Sequence, residues 1–181
     1  MKNIALLLVT FICLQVIAFA VPDSVMTGPY KISFDLGIPK DAYKIEVEEP
    51  KVSESLAGEP SETYAINLIK INSTMPCLAM INIYKMKQIL LPAIQRVSVN
   101  INEVKSLGLS GVQGAVREVD GKDGVVCSGL QISNGIPETT YFADYYISEN
   151  EKVLIYSGIP WDEGTLSLLK TVHIERINAT T

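Results

Sequence analysis

His173 is the only histidine of this 181-residue chain, so acid–base and metal chemistry have few residues to draw on. Zinc sites generally need several His or Cys ligands, and a Ser-His-Asp triad needs a histidine that a carboxylate orients. His173 follows the apolar face of a C-terminal helical pattern, where a surface or capping histidine is the ordinary occupant. The sequence therefore predicts no catalytic histidine, no metal site and no cofactor.

Carboxylates offer a second kind of chemistry. Asp144 and Asp162 are the pair that a carboxylate-based extracytoplasmic hydrolase would use as general acid and base. Glycosidase-type enzymes hold two carboxylates at a defined separation in a sugar-binding cleft, and sequence spacing alone does not bring these two together. Acids that are simply solvated explain the pattern better. The chain is predicted not to be an enzyme, and the hydrolase stands as the alternative.

The segment 120–124, Asp-Gly-Lys-Asp-Gly, has the oxygen-rich composition of a calcium loop. Calcium loops of this kind need further carboxylates and a closing Glu, which do not follow here. Asp-Gly is also a standard dipeptide of hairpin turns. A turn is predicted, with a calcium-dependent structural module as a further alternative.

Tyrosines crowd the predicted last hairpin, and the only tryptophan follows them. Aromatic residues pair across neighbouring strands, which accounts for such a cluster without any ligand. Tyrosine and tryptophan are also enriched at binding surfaces, so a recognition face stays open beside sheet pairing. The residues of the predicted partner surface are Tyr141, Tyr145, Tyr146, Tyr156 and Trp161.

Residues 1–20 have the pattern of a secretory signal peptide. Lys2 precedes an uncharged apolar run that ends in Ala18-Phe19-Ala20, a small-x-small cleavage pattern. Retention as a membrane anchor is the alternative, although the run is at the short limit for spanning a bilayer. We expect a single domain over residues 21–181, secreted or extracytoplasmic in the cell envelope.

Charge and cysteine content narrow the partners. A net charge of −5 argues against nucleic acid and anionic membranes, so the expected partner is an unknown protein or envelope component, with membrane contact only through an uncleaved signal segment. Outside the cell, Cys77 and Cys127 are either a disulfide or two buried thiols, and both readings stay open. Asn72 and Asn178 begin glycosylation sequons.

Hydrophobic periodicity indicates the elements that must position these residues. Alternating segments predict strands, helical spacing predicts a helix that Gly108 ends, and 50–62 is predicted to be a surface loop. The first two strands are predicted to form a hairpin, and 77–86, apolar on both sides, to lie mid-sheet between two layers. The predicted strands are 29–36, 43–49, 63–71, 77–86, a pair within 114–132, 139–147 and 153–159, and a last helix spans 161–173.

This order of elements resembles the fold of PsbP, the photosystem oxygen-evolving subunit, of the Ran-binding Mog family and of exported bacterial DcrB proteins. The matching segments are "GPYKISFDL", "AMINIYKM" and "YFADYYISENEKVLIYSGIPWDEGTLSLLKTVHIE". The chain is also similar to small exported archaeal proteins of unassigned function. The resemblance implies an α+β fold (an αβα sandwich), a mainly antiparallel sheet of about six to eight strands flanked by helices. It implies a non-enzymatic binding or assembly module and transfers no site residue.

Overall fold

The computed structural model of the protein describes residues 22–54, 58–71, 79–133, 135–157 and 162–177. Strands make up 60% of the described residues, and two α-helices and one short 3-10 helix complete the regular structure there. The strands are β1 (Asp23–Thr27), β2 (Tyr30–Phe34), β3 (Tyr43–Val47), β4 (Lys51–Glu54), β5 (Pro60–Lys70), β6 (Ala79–Met86), β7 (Ser110–Val119), β8 (Lys122–Ser133), β9 (Ile136–Ser148), β10 (Glu151–Ser157) and β11 (His173–Arg176). The helices are α1 (Ala93–Ser106) and α2 (Asp162–Thr171), and the 3-10 helix is Lys40–Ala42.

The strands form two antiparallel sheets. The larger sheet has the order β3-β5-β6-β10-β9-β8-β7, and β4 pairs with the early part of β5. The smaller sheet has the order β1-β2-β11, so strands from the two ends of the described chain flank β2. The centre of the larger sheet is β6 and β10, as the two-sided apolar pattern of β6 indicated.

The main core lies between the smaller sheet and one face of the larger one. Period-2 alternation turns Tyr30, Ile32 and Phe34 of β2 inward, and all three are fully buried. Burying an aromatic or large aliphatic side chain stabilises a fold by roughly 1.5–3 kcal/mol. The other residues of this core include Ile66 and Leu68 on β5, Ile81 and Ile83 on β6, Val153 and Ile155 on β10, and Leu168 and Leu169 on α2.

The tight turn between β1 and β2 packs the smaller sheet against β5. Gly28 has a φ of +53°, and a Cβ at this position would stand 2.1 Å from the Tyr64 ring. Only glycine allows the β1–β2 turn to approach the ring so closely. The same ring meets Tyr30 edge-on, with centroids 5.1 Å apart.

Helix α1 covers part of the opposite face of the larger sheet. It begins after Pro92, whose φ of −51° suits the residue before a helix, and it ends where Gly108 adopts a φ of +91°. The prediction that Gly108 ends the helix is confirmed. Val104 packs there with Val125, Cys127 and Phe142 in a second, smaller buried cluster.

The predicted αβα sandwich with helices on both sides of one sheet is wrong. The molecule is a mostly antiparallel β structure in two sheets. The physical reason is strand pairing at the ends of the described part of the chain: Asp23–Thr27 and His173–Arg176 hydrogen-bond to the two edges of β2. The resulting small sheet takes much of the layer that helices were expected to fill.

Two local predictions are also corrected. Segments 29–36 and 43–49 do not form a hairpin, because β2 pairs with β1 and β11 whereas β3 pairs with β5 in the other sheet. The predicted loop 50–62 contains β4 and the start of β5, whose Ser61 pairs with Ser53. The hairpins β7–β8 and β9–β10 are confirmed.

Several predictions concern residues outside the described ranges. They are the signal peptide 1–20, Cys77, the sequons at Asn72 and Asn178, and Trp161. Within the described ranges, no α-helix combines the length and the apolar character that crossing a bilayer requires.

Candidate binding cleft

A cleft of about 430 Å³ lies between α2 and the outer end of the larger sheet. Its volume falls within the range of small-ligand pockets. The apolar residues that line it are Ala115, Val119, Val126, Leu166 and Leu169. The polar and charged ones are Gln113, Arg117, Glu118, Ser128, Tyr141 and Lys170.

Hydroxyl groups hold α2 in the position that creates this cleft. Near the start of the helix, buried Thr165 shares a hydrogen bond with buried Ser157 of β10. Further along, Ser167 Oγ donates to the Asp35 carbonyl oxygen at 2.8 Å. The Thr171 hydroxyl also donates to that carbonyl at 2.9 Å and accepts the Asp35 N–H at 2.8 Å. The helix is therefore fastened to β10 and to the end of β2.

Most of the Lys and Arg side chains in the described ranges stand in ion pairs with acids. The exceptions there are Lys70, Lys105, Arg117 and Lys170. Two of these four, Arg117 and Lys170, line the cleft, and both are exposed. Unneutralised cations beside apolar walls suit a ligand that carries both an apolar part and a negative charge.

A second depression, of about 500 Å³, lies at the turn between β9 and β10. Its charges are already matched: Lys85 Nζ is 3.0 Å from Glu62 Oε1, and Lys87 Nζ is 3.5 Å from Glu59 Oε1. The Tyr64 hydroxyl adds a 2.5 Å hydrogen bond to Glu62, which helps raise the pKa of Tyr64 to about 12. This depression offers less unsatisfied charge to a ligand than the cleft does.

The turn between β7 and β8 places Asp120 beside the cleft residue Val119. Asp120 and Gly121 both have positive φ, 53° and 65°, as the type I′ turn of a two-residue hairpin requires. Asp120 Oδ2 accepts the Ile174 N–H at 3.1 Å and the Tyr145 hydroxyl at 3.3 Å. The predicted Asp-Gly turn is confirmed, and its carboxylate ties the hairpin to β11 and β9.

His173 Nδ1 lies 2.7 Å from Asp120 Oδ1, while the His173 side chain is 60% exposed. The carboxylate orients the ring, which is the arrangement that the sequence did not reveal because Asp120 is 53 positions away. Ser33 is the cross-strand neighbour of His173, but in the described part of the chain the two side chains form no hydrogen bond. The contact between His173 and Asp120 fastens β11 to the β7–β8 turn.

The Asp120 carboxylate, which the calcium hypothesis would use as a ligand, is already bound by protein groups. Both oxygens of Asp120 accept hydrogen bonds from protein groups, and Lys122 Nζ lies 3.4 Å from Oδ2. Asp123 is exposed and stands across from Glu118 in the hairpin register. In the ranges that the structure describes, no three His, Cys, Asp or Glu residues are grouped so as to hold a metal ion.

Asp144, one acid of the hydrolase hypothesis, lies on the α1 face of the larger sheet. Asp144 is fully buried on the α1 side, where Oδ1 is 2.8 Å from Arg96 Nη1 and Oδ2 is 3.1 Å from Lys152 Nζ. Asp162 begins α2, whose Leu168 packs into the core on the other face. Asp144 is therefore paired with two cations, on the face of the sheet opposite to α2.

The predicted tyrosine surface is divided between the two faces. Tyr141 lines the cleft, and Tyr145 on the same face of β9 is fully buried in the main core. Tyr146 turns to the α1 side, where the Arg96 guanidinium lies 4.4 Å from its ring centroid. Tyr156 packs partly buried against the α1 cluster. Of these four, Tyr141 alone belongs to the cleft.

Cys127 is a buried free thiol in the α1 cluster. Burial, reinforced by the negative charges of Asp144 and Glu103, raises its pKa to about 11. Cys77 is outside the described ranges, so of the two open readings, a disulfide or two buried thiols, the described half agrees with the second.

Comparisons of the chain with protein-family models, curated proteins and solved structures found no match. The resemblance to PsbP, Mog and DcrB proteins accordingly stays a prediction.

Proposed function

We propose that the chain is an exported, non-catalytic binding or accessory domain of the cell envelope, and that its partner occupies the cleft between α2 and β7. The export signal predicted in residues 1–20 supports the location. The helix fastened by Ser157, Ser167 and Thr171 provides a preformed wall. A preformed wall lowers the entropic cost of ordering the site when a ligand binds.

The observation that carries this proposal is the combination of apolar and cationic groups in one place. Leu166 is 43% exposed on the helix side of the cleft, and Leu169 packs beside it. Arg117 and Lys170 stand at the same cleft without an acidic partner among the described residues. A partner with apolar and acidic groups would cover the leucines and pair with both cations.

Site-specific photo-crosslinking in the native envelope fraction tests the proposal. A photoreactive amino acid replaces Leu166 in the cleft or, as a matched control, Leu107, which is 61% exposed after α1 and outside the cleft. We expect a discrete adduct from position 166 that weakens at least tenfold when Arg117→Glu and Lys170→Glu are added. Thermal melts establish that each variant is folded. Identical adducts from both positions, or none from position 166, would contradict the proposal.

A further inference from the structure

We propose that the occupant of the cleft is an extended acidic segment of a partner protein, which adds as a strand to the outer edge of β7. This inference rests on the proposed function and names the kind of partner. Strand addition uses main-chain hydrogen bonds for affinity and alternate side chains for specificity. The edge, the cleft and the charges each support it.

β7 is the terminal strand of the larger sheet and pairs only with β8 among the described strands. None of the described backbone hydrogen bonds outside the regular elements involves Ser110–Val119. A bulge disturbs the register between Ser110 and Gln113, but pairing is regular from Gln113 to Val119. An open edge of this kind presents a row of N–H and C=O groups that can pair with another chain.

The other sheet edges offer less. β1 and β3 each have five residues, whereas β7 has ten. On β11 the Asp120 carboxylate already accepts the N–H of Ile174. The longest edge strand is therefore also the one that lines a cleft.

The regular stretch of β7 determines the length of the added strand. Gln113–Val119 rises roughly 20 Å at about 3.3 Å per residue, which matches an added strand of about seven residues. Every second side chain of that strand faces α2, on the side of the sheet where Arg117, Lys170 and the exposed Leu166 line the cleft. The strand would thus carry its acidic residues at these α2-facing positions, beside Arg117 and Lys170.

The charges select an acidic partner over a basic one. Arg117 and Lys170 are free of ion pairs in the described ranges and stand on the two walls of the cleft. Glu118 also lines the cleft, but its side chain leaves the opposite face of the pleat from that of Arg117. Acids placed beside Arg117 and Lys170 would gain charge-assisted hydrogen bonds.

Amide hydrogen exchange measured by NMR tests the inference directly. The probe is an acetylated and amidated heptapeptide of alternating valine and glutamate, and its counterpart carries lysine for glutamate. We expect the acidic peptide to slow exchange of the outer-edge amides of Gln113–Val119 at least tenfold and to bind at least tenfold more tightly than the basic one. Arg117→Glu with Lys170→Glu should reverse that preference. Lys105→Glu, an unpaired cation outside the cleft, should leave it unchanged.

Three outcomes would overturn strand addition. One is binding of the peptide without protection of β7, and another is equal binding by a peptide N-methylated at alternate residues. The third is protection of β7 in the absence of peptide that grows with protein concentration, which would assign the edge to a second copy of this chain. Decanoate, an apolar anion that offers no strand, separates the two proposals: cleft shifts with decanoate but none with peptide refute strand addition and leave the binding cleft standing.

Discussion

The two faces of the larger sheet are stabilised by different physics. On one face the smaller sheet and α2 bury an apolar core in which Tyr30, Ile32 and Phe34 have no exposed surface. On the other face α1 lies over a smaller apolar cluster and over ionised groups: Arg96 is 4% exposed and Asp144 is fully buried. The contrast shows that one sheet can bind one layer through buried apolar surface and the other through a specific pairing of charges.

The charge pairing on the α1 side makes geometric demands that the apolar side does not. Arg96 Nη2 also donates to the Asp123 carbonyl at 3.3 Å, and its guanidinium stacks over Tyr146. A buried ion pair adds little net stability over an apolar replacement, yet removal of one partner leaves a costly unpaired charge. We infer that Arg96 and Asp144 define where α1 sits, whereas the apolar core supplies most of the stability.

The largest effect is expected from truncation of the same residue type on the two faces. Phe34→Ala should lower the free energy of unfolding by about 4 kcal/mol, because it empties a fully enclosed site. Phe142→Ala, in the α1 cluster and 8% exposed, should cost less because α1 can settle into the space. Urea denaturation of both variants measures the difference. Equal losses would remove the distinction between the two cores.

An intermediate effect is expected when the buried ion pair is broken. Asp144→Asn leaves Arg96 and Lys152 without their carboxylate, so we expect a loss of about 3 kcal/mol. Asp123→Asn, an exposed acid nearby, should change stability by less than about 0.5 kcal/mol. Combining Asp144→Leu with Arg96→Met should recover most of the loss. If Asp144→Asn unfolds at the same urea concentration as the unaltered chain, the Arg96–Asp144 ion pair is unimportant for stability.

The smallest effect concerns local opening, measured by alkylation of a single thiol. Burial raises the pKa of Cys127 to about 11, so at pH 8 its alkylation must await an opening of the α1 side. Two chains are compared: one keeps Cys127 as its single cysteine, and the other combines Cys127→Ala with Ser157→Cys and has every other cysteine replaced. We expect Cys127 to react a few-fold faster than the thiol at position 157, because Ser157 faces the main core. Slower alkylation of Cys127 would show that the α1 side of the larger sheet is the more rigid of the two.

The same thiol has a consequence for alkaline stability. The folded-state pKa of Cys127 lies above the ordinary value of 9.0, so the unfolded chain loses this proton first as pH rises. The native state therefore loses stability between about pH 9 and pH 11 and gains none from this group below that window. Comparison with Cys127→Ala isolates the contribution.

Local features of the fold were predictable because they depend on neighbouring residues. Alternation identified β2, β5 and β6, and the Asp120-Gly121 dipeptide identified its turn. Gly108 marked the end of α1. The candidate site was only partly predictable: Tyr141 and α2 were singled out, but Arg117 and Lys170 carry no motif.

For most elements sequence by itself determined whether a segment is extended or helical and which of its side chains point inward, since these follow from periods of 2 and 3.6 residues. The short strands β1, β4 and β11 were not among those predicted. Tertiary structure alone decided which strands and side chains become neighbours. Strand periodicity does not say with which strand a segment pairs, so the second sheet, the Asp120–His173 contact and the separation of Asp144 from α2 emerge only when distant segments meet. The edge of β7, which among the described strands pairs on one side only, and its position beside Arg117 and Lys170 are likewise products of that assembly.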